Sequence, residues 1–119
     1  MSAYNHVTLV GTLAQDPVTT KKSKSVTCKM TIGCERYAGK NKPVEVDYFN
    51  ITTTGKLAEI ASEYLKKDKK ILVDGTIQVT MKEDNAGKRT WITEVIAENI
   101  KFLRTSTEIK ENVNNEASN

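Results

Sequence analysis

Hydrophobic and polar residues alternate along five stretches of this chain. In the first stretch, NHVTLVGTL, the apolar residues Val7, Leu9 and Leu13 fall on one side and Thr8 and Thr12 on the other, a period of two that is typical of a half-buried strand. The stretches SVTCKMTIGC, VEVDYFNITTT, ILVDGTIQVTM and TWITEVIAENIKFL show the same period. The pattern therefore predicts five β-strands.

One stretch between the third and fourth predicted strands breaks this alternation. The apolar residues of GKLAEIASEYLKKDKK recur at intervals of three and four positions, as they do on one face of a helix: Leu57, Ile60, Ala61, Tyr64 and Leu65. Five short strands with one helix between the third and fourth predict an all-β protein, a five-stranded OB-fold barrel whose helix covers one open end.

The length of 119 residues is that of one domain. We predict an OB-fold domain over residues 1–104 and a disordered polar C-terminal tail over residues 105–119, where apolar periodicity is absent. No stretch is apolar for long enough to span a membrane, and the N-terminus lacks the pattern of a signal peptide. We therefore expect a cytoplasmic protein with no membrane contact.

Little in the sequence indicates catalysis. The single histidine, His6, has no cysteine at metal-ligand spacing, and Cys28 and Cys34 lie on one predicted strand, roughly 20 Å apart and too far for a disulfide. Neither a GxxxxGK[ST] loop nor a GxGxxG motif occurs. Glu83 and Asp84 belong to a predicted hairpin tip, where we expect them to stabilise the turn. We expect no enzymatic activity, no metal and no cofactor.

Basic residues outnumber acidic ones slightly, by 18 to 15, for a net charge of +3. They are concentrated in KKSK, ERYAGKNK, KKDKK and NAGKR, which we expect in loops or turns. For KKDKK, a solvated loop after the helix is the favoured interpretation. The other clusters lie in predicted strand connections and are candidates for binding phosphates.

Four segments resemble the bacterial-type single-stranded DNA-binding proteins: NHVTLVGTLAQDP, GKLAEIASEYLKK, VDGTI and TEV. They occur in the order of that family across residues 5–103. The resemblance implies an OB-fold that assembles as a homotetramer and coats single-stranded DNA, without sequence preference, during replication, recombination or repair. It also implies subunit contacts through the first strand and one matching aromatic position, and the candidate interface residues are Asn5, His6, Val7 and Phe49.

Binding of single strands requires rings for base stacking and cations for the phosphates. Tyr48 lies on a polar strand face and matches a stacking position of the family; Trp91 and Tyr37 are adjacent to cations. Packing of Trp91 against a neighbouring strand is an equal alternative, and Tyr64 is expected in the core. The predicted DNA-binding residues are Lys21, Lys22, Lys24, Lys29, Arg36, Tyr37, Lys40, Lys42, Tyr48, Asn50, Thr54, Lys56, Lys82, Lys88, Arg89 and Trp91.

The sequence departs from the family pattern in two respects. Thr54 and Lys82 stand where relatives often carry aromatic residues, which predicts a larger electrostatic share of the affinity and a steep salt dependence. The tail lacks an acidic tip, so recruitment of replication or recombination proteins by that route is not expected, and a phage, plasmid, organellar or accessory member is indicated. An OB-fold primosomal adaptor and an RNA-binding OB domain remain alternatives.

Overall fold

The computed structural model describes residues 3–104, which form six strands and one helix. In chain order these elements are β1 (Val7–Leu13), β2 (Val18–Lys22), β3 (Ser25–Arg36), β4 (Glu45–Thr54), α1 (Gly55–Tyr64), β5 (Lys70–Glu83) and β6 (Arg89–Leu103). The helix lies where the sequence predicts it, directly before the long β5–β6 hairpin. Its first residue, Gly55, has a φ of 70°, a backbone conformation that favours glycine.

The strands are hydrogen-bonded in the order β1-β5-β6-β4-β3-β2, and β1 also pairs with β3. Five strands therefore follow one another in a ring, and β2 is attached outside it. Two short ladders complete the ring: Thr12–Leu13 of β1 against β3, and a parallel contact of Ile51–Thr52 with β6. These pairings and the single helix agree with the predicted OB-fold.

Strand β2 is absent from the sequence prediction, which is therefore one strand short. All its residues are exposed, so no apolar period reveals it. It is defined by antiparallel pairing with β3 along its whole length, across a tight turn in which Ser23 has a φ of 54°. Lys21 and Lys22 consequently lie on a strand and not, as predicted, in a loop.

The core fills the inside of the ring. Its fully buried aliphatic side chains come from five different elements: Leu13, Ile32, Ile51, Ile71, Val73 and the alanines of α1. The inward positions of β1, β3 and β4 are those that the alternation predicts. Cys28 is buried and Cys34 half-buried, and both are free thiols as expected. Burial raises the pKa of both thiols, and the nearby Asp47 carboxylate raises that of Cys34 further.

The buried face of α1 is narrower than predicted. Ala58 and Ala61 are completely buried, whereas Ile60 is at the surface and Tyr64 is 58% exposed. The ring of Tyr64 lies 6.3 Å from the ring of Phe102, which is also exposed. The prediction that Tyr64 packs in the core is therefore wrong. The buried side of the helix segment runs through Leu57, Ala58, Ala61 and Leu65, and Tyr64 lies beside that stripe at the surface.

Within the part of the chain that the structure describes, no helix is long and apolar enough to cross a membrane.

Candidate nucleic-acid interface

The outer surface of β3 and β4 brings together one aromatic ring, one cation and several polar groups. The register pairs Lys29 with Thr52, Thr31 with Asn50, and Gly33 with Tyr48. Because side chains alternate along a strand, these six residues point away from the core, and we call them the β3–β4 face. The sequence prediction for the outward side of β4 is confirmed here, since Tyr48, Asn50 and Thr54 are all exposed.

Tyr48 is positioned by the glycine opposite it. A Cβ atom added to Gly33 would lie 3.2 Å from Cε1 of the Tyr48 ring, so the ring rests against β3 where a side chain is missing. The ring is 66% exposed. One surface of the ring is thus supported by the strand, while the rest is accessible to a partner such as a nucleobase.

Two grooves border the β3–β4 face. The first, which we call the Tyr48 groove, has a volume of about 520 Å³ and is lined by residues 10–14, Gly33, Glu35, Val46, Tyr48, Asp68 and Lys70. The second, the Asn50 groove, has a volume of about 260 Å³ and is lined by Gln15, Val18, residues 29–31 and 50–52, Ile92 and Glu94. The grooves adjoin, because Tyr48 and Asn50 are successive outward residues of β4.

The polar groups of the Asn50 groove are oriented by side-chain hydrogen bonds. The Thr31 hydroxyl donates to Oδ1 of Asn50 over 3.4 Å, and the Thr52 hydroxyl donates to Oε2 of Glu94 over 2.7 Å. The amide nitrogen of Asn50 has no partner among residues 3–104. The groove therefore offers an oriented amide and the Lys29 ammonium to a ligand.

The far part of the β5–β6 hairpin separates two predicted binding residues. Lys82 pairs with Thr90 and Thr80 with Ile92, so Lys82 is on the same side as Ile92, which lines the Asn50 groove. Trp91 pairs with Met81 and lies on the opposite side of the hairpin, 67% exposed. The structure thus brings Lys82 towards the groove and does not bring Trp91 there.

The remaining predicted cations belong to other elements and line neither groove. Each is exposed: Lys21 and Lys22 on β2, Lys24 in the β2–β3 turn, Lys40 and Lys42 in the loop of residues 37–44, Lys56 on α1, Lys88 at the hairpin tip and Arg89 on β6. Tyr37, at the start of that loop, is exposed too. Arg36 and Arg89 are strand residues, which corrects the expectation that their clusters lie wholly in loops.

Arg36 differs from the other predicted phosphate ligands because its charge is already compensated. Its Nε and Nη2 atoms donate to the two Asp47 oxygens at 2.9 and 3.3 Å, and Nη2 also donates to Glu45 at 2.7 Å. The hydrogen bond from Arg36 is the main cause of a lowered pKa at Asp47, and the hydrogen bond to Asp47 is the main cause of a raised pKa at Arg36. A phosphate would compete with two carboxylates for this guanidinium.

Of the two acidic residues that the sequence predicts to stabilise the hairpin tip, Asp84 has this role. Its Oδ1 atom accepts hydrogen bonds from the backbone nitrogens of Ala86 at 2.9 Å and Lys88 at 2.8 Å. Two backbone hydrogen bonds close the tip: the Asp84 nitrogen donates to the Lys88 carbonyl oxygen, and the Gly87 nitrogen donates to the Asp84 carbonyl oxygen, both at 3.0 Å. Over residues 3–104, no group of three or more His, Cys, Asp or Glu side chains has a geometry that could hold a metal ion.

The residues predicted to lie in a subunit interface make contacts within their own chain. The side-chain amide of Asn5 exchanges two hydrogen bonds with the backbone of Ile77, at 2.7 and 2.9 Å, which extends the β1–β5 ladder. His6 lies 3.8 Å from the Asp74 carboxylate. Val7 and Phe49 are half-buried against the core. Whether these residues contact a second copy stays a prediction.

Several groove residues escaped the sequence prediction. Thr31 and Thr52 were within its reach, because the alternation that placed Asn50 outward places them on the same face. Glu35 is outward on β3 by the same alternation, but only the β3–β4 register brings it beside Tyr48. Gln15, which follows β1, and Glu94 on β6 come beside β4 only in the folded chain. No local pattern marks such residues.

Comparison with known proteins gives a consistent result. Residues 4–103 match the Single-strand binding protein family. The chain is similar to a single-stranded DNA-binding protein of Caldanaerobacter subterraneus (38% identity over 101 residues, 83% of this chain and 67% of the relative). A Listeria monocytogenes single-stranded DNA-binding protein 2 is also 38% identical, over 83% of this chain and 63% of its own length. A Thermotoga maritima single-stranded DNA-binding protein is 35% identical, with 87% and 76% covered.

Proposed function

This chain belongs to the Single-strand binding protein family, and on that premise we propose that it binds single-stranded DNA and coats it during replication, recombination or repair. The single observation that carries the proposal is the exposed Tyr48 ring, seated on Gly33 between two adjoining grooves. The relatives named single-stranded DNA-binding proteins support the same ligand.

The proposed binding combines stacking with charge. A base stacks on the Tyr48 ring, and the adjacent nucleotide crosses to the Asn50 groove, where Lys29 and Lys82 meet its phosphate. Stacking accepts every base because each has a flat face, and phosphates are identical along the strand. Most of the affinity is therefore independent of sequence. The mechanism has no catalytic step and uses no metal or cofactor.

We further propose that the protein works in the cytoplasm as a homotetramer. The β1–β3 ladder contains only the pairs of Thr12 and Leu13, so the remainder of this edge of β1 has no strand partner within residues 3–104. A copy of β1 can pair there, as the family resemblance implies. The domain boundary at residue 104 stays a prediction, and the predicted tail of residues 105–119 lies outside the described residues.

A titration with fluorescent oligonucleotides of graded length tests the proposed function. We expect dT strands to bind more tightly as they lengthen, with duplex of the same length binding far more weakly, and light scattering to show a tetramer. A second series at higher salt measures the electrostatic share of the affinity.

Other outcomes of the same titration would identify a different protein. Weak binding to every length by a dimer would favour an adaptor that acts through protein contacts. Tighter binding to an RNA strand of the same sequence would favour an RNA-binding domain. Either result would contradict the proposal.

A further inference from the structure

Two carboxylates line the Tyr48 groove, those of Glu35 and Asp68, and phosphate binding explains neither. Glu35 lies on β3 in register with β4, whereas Asp68 lies in the turn between α1 and β5. Glu35 lines this groove with Tyr48, and an anionic side chain repels a phosphate. We propose that Glu35 reads the base stacked on Tyr48, so that this position prefers a base with an exocyclic amino group. The inference rests on the proposed function and refines it: binding tolerates every sequence, with a base preference at one position.

The sheet register places Glu35 within reach of that base. Glu35 pairs with Val46 and Gly33 pairs with Tyr48, so Glu35 and Tyr48 are diagonal neighbours on the same outward surface. Diagonal neighbours on a sheet are about 7–8 Å apart, a distance that long side chains span. A base that stacks on the ring therefore presents its edge to the carboxylate.

The Glu35 carboxylate is also available to bind a ligand. Its carboxylate is exposed and forms no hydrogen bond or ion pair with any side chain of residues 3–104. The adjacent Arg36 points to the other side of the sheet, where Asp47 and Glu45 hold it. The one cation that lines the same groove is Lys70, at the start of β5. Lys70 is suited to the phosphate of the stacked nucleotide, which leaves Glu35 for the base.

The chemistry of a carboxylate decides which bases it accepts. An ionised carboxylate has acceptor oxygens only. It pairs with the amino group of cytosine, as Glu does in known protein–DNA contacts, and amino groups are also present on adenine and guanine. Uracil and thymine carry a carbonyl oxygen where cytosine has its amino group, and this oxygen repels the carboxylate. Cytosine and uracil share the same ring and differ only on this edge, at C4 and at N3, which carries a hydrogen in uracil. The comparison therefore tests whether the carboxylate contacts the pairing edge of the base.

The test compares oligo-dC with oligo-dU of equal length, at fixed salt and neutral pH, for the whole protein and for Glu35→Gln. We expect the whole protein to bind dC about fivefold more tightly than dU, the low end of the discrimination given by a direct base contact. In Glu35→Gln, whose amide both donates and accepts, the ratio should fall to near one. Glu59→Gln, which removes an equal charge from the exposed side of α1, should leave the ratio unchanged.

Three results would overturn the inference in different ways. If Glu35→Gln strengthened binding to dC and dU by the same factor, Glu35 would act only through its charge, and the proposed function would stand. If the whole protein bound neither oligonucleotide, the proposed function would be wrong, and the base preference would fall with it. A wild-type ratio of one that Glu35→Gln left unchanged would also exclude a base contact.

Discussion

The Tyr48 ring is seated on Gly33 of the neighbouring strand. A Cβ atom at Gly33 would lie 3.2 and 3.5 Å from two carbons of that ring and 2.9 Å from Cγ1 of Val46. Gly33 is also approached from the other side, because a Cβ atom at Gly11 would lie 2.8 Å from the Gly33 carbonyl oxygen. Two glycines thus allow β1, β3 and the ring to stack closely where the Tyr48 groove forms.

Replacing Gly33 with alanine should displace the Tyr48 ring and weaken binding to oligo-dT. The added methyl group meets only the ends of the Val46 and Tyr48 side chains, which can move, so the thermal unfolding temperature should change little. In Gly11→Ala the methyl group meets backbone, and we expect a loss of about 1–3 kcal/mol in the free energy of unfolding. Unchanged oligo-dT affinity in Gly33→Ala would show that the packing of the Tyr48 ring on Gly33 does not contribute to DNA binding.

Removing the ring itself should cost more. Tyr48→Ala is expected to weaken oligo-dT binding by about 1–3 kcal/mol, the usual contribution of one stacked base. Tyr64→Ala serves as the matched control, because it removes an exposed tyrosine from α1, outside both grooves. Fluorescence titration of both variants gives the comparison, and an equal loss in both would argue against stacking on Tyr48.

Lys82 should contribute to the salt dependence of binding. If it meets a phosphate beside the Asn50 groove, Lys82→Gln should reduce the slope of log K against log salt by about 0.7, the value for one contact on a single strand. Lys101→Gln changes the same charge at the opposite end of the β5–β6 hairpin and should leave the slope unaltered. A slope in Lys82→Gln equal to that of the unmodified protein would remove Lys82 from the interface.

The ion pair of Arg36 should be insensitive to pH over the physiological range. Because the Asp47 pKa is lowered from its ordinary value of 3.8, the pair stabilises the fold fully above that value and loses this effect as pH falls through the lowered pKa. Acid unfolding between pH 5 and 2 should therefore be less steep in Asp47→Asn. At pH 7 the same variant should bind oligo-dT with unchanged affinity, because Arg36 points to the side of the sheet opposite the two grooves. Tighter binding of oligo-dT by Asp47→Asn at pH 7 would instead place Arg36 on the DNA path.

Phe49 is predicted to lie in the contact between subunits. Phe49→Asp is expected to lower the mass measured by light scattering, because a charge would enter the proposed subunit contact. Since Phe49 is also packed against the core of its own chain, thermal unfolding must show that the variant is folded. Phe49→Leu, which keeps an apolar side chain, should retain the full mass. A folded Phe49→Asp protein of unchanged mass would refute this interface.

Most strands of the barrel-like sheet could be predicted, because the alternation of apolar and polar residues marks each of them locally. Ile51 inward and Tyr48 outward follow from alternation on one strand, and the helix follows from a change of period. The family resemblance added the candidate role of Tyr48. These features depend on neighbours in sequence, and strands with one buried face leave a clear pattern.

Other features depend on strands that are distant in sequence. Strand β2 is exposed on both sides and is revealed by its ladder with β3. The charge of Arg36 is compensated because the β3–β4 register brings Asp47 close to it. Tyr64 is at the surface because α1 turns its alanines inward. Glu35 came beside Tyr48 through the same register. Periodicity assigns a side chain to a face, but the partners it meets there are set by how the strands pair.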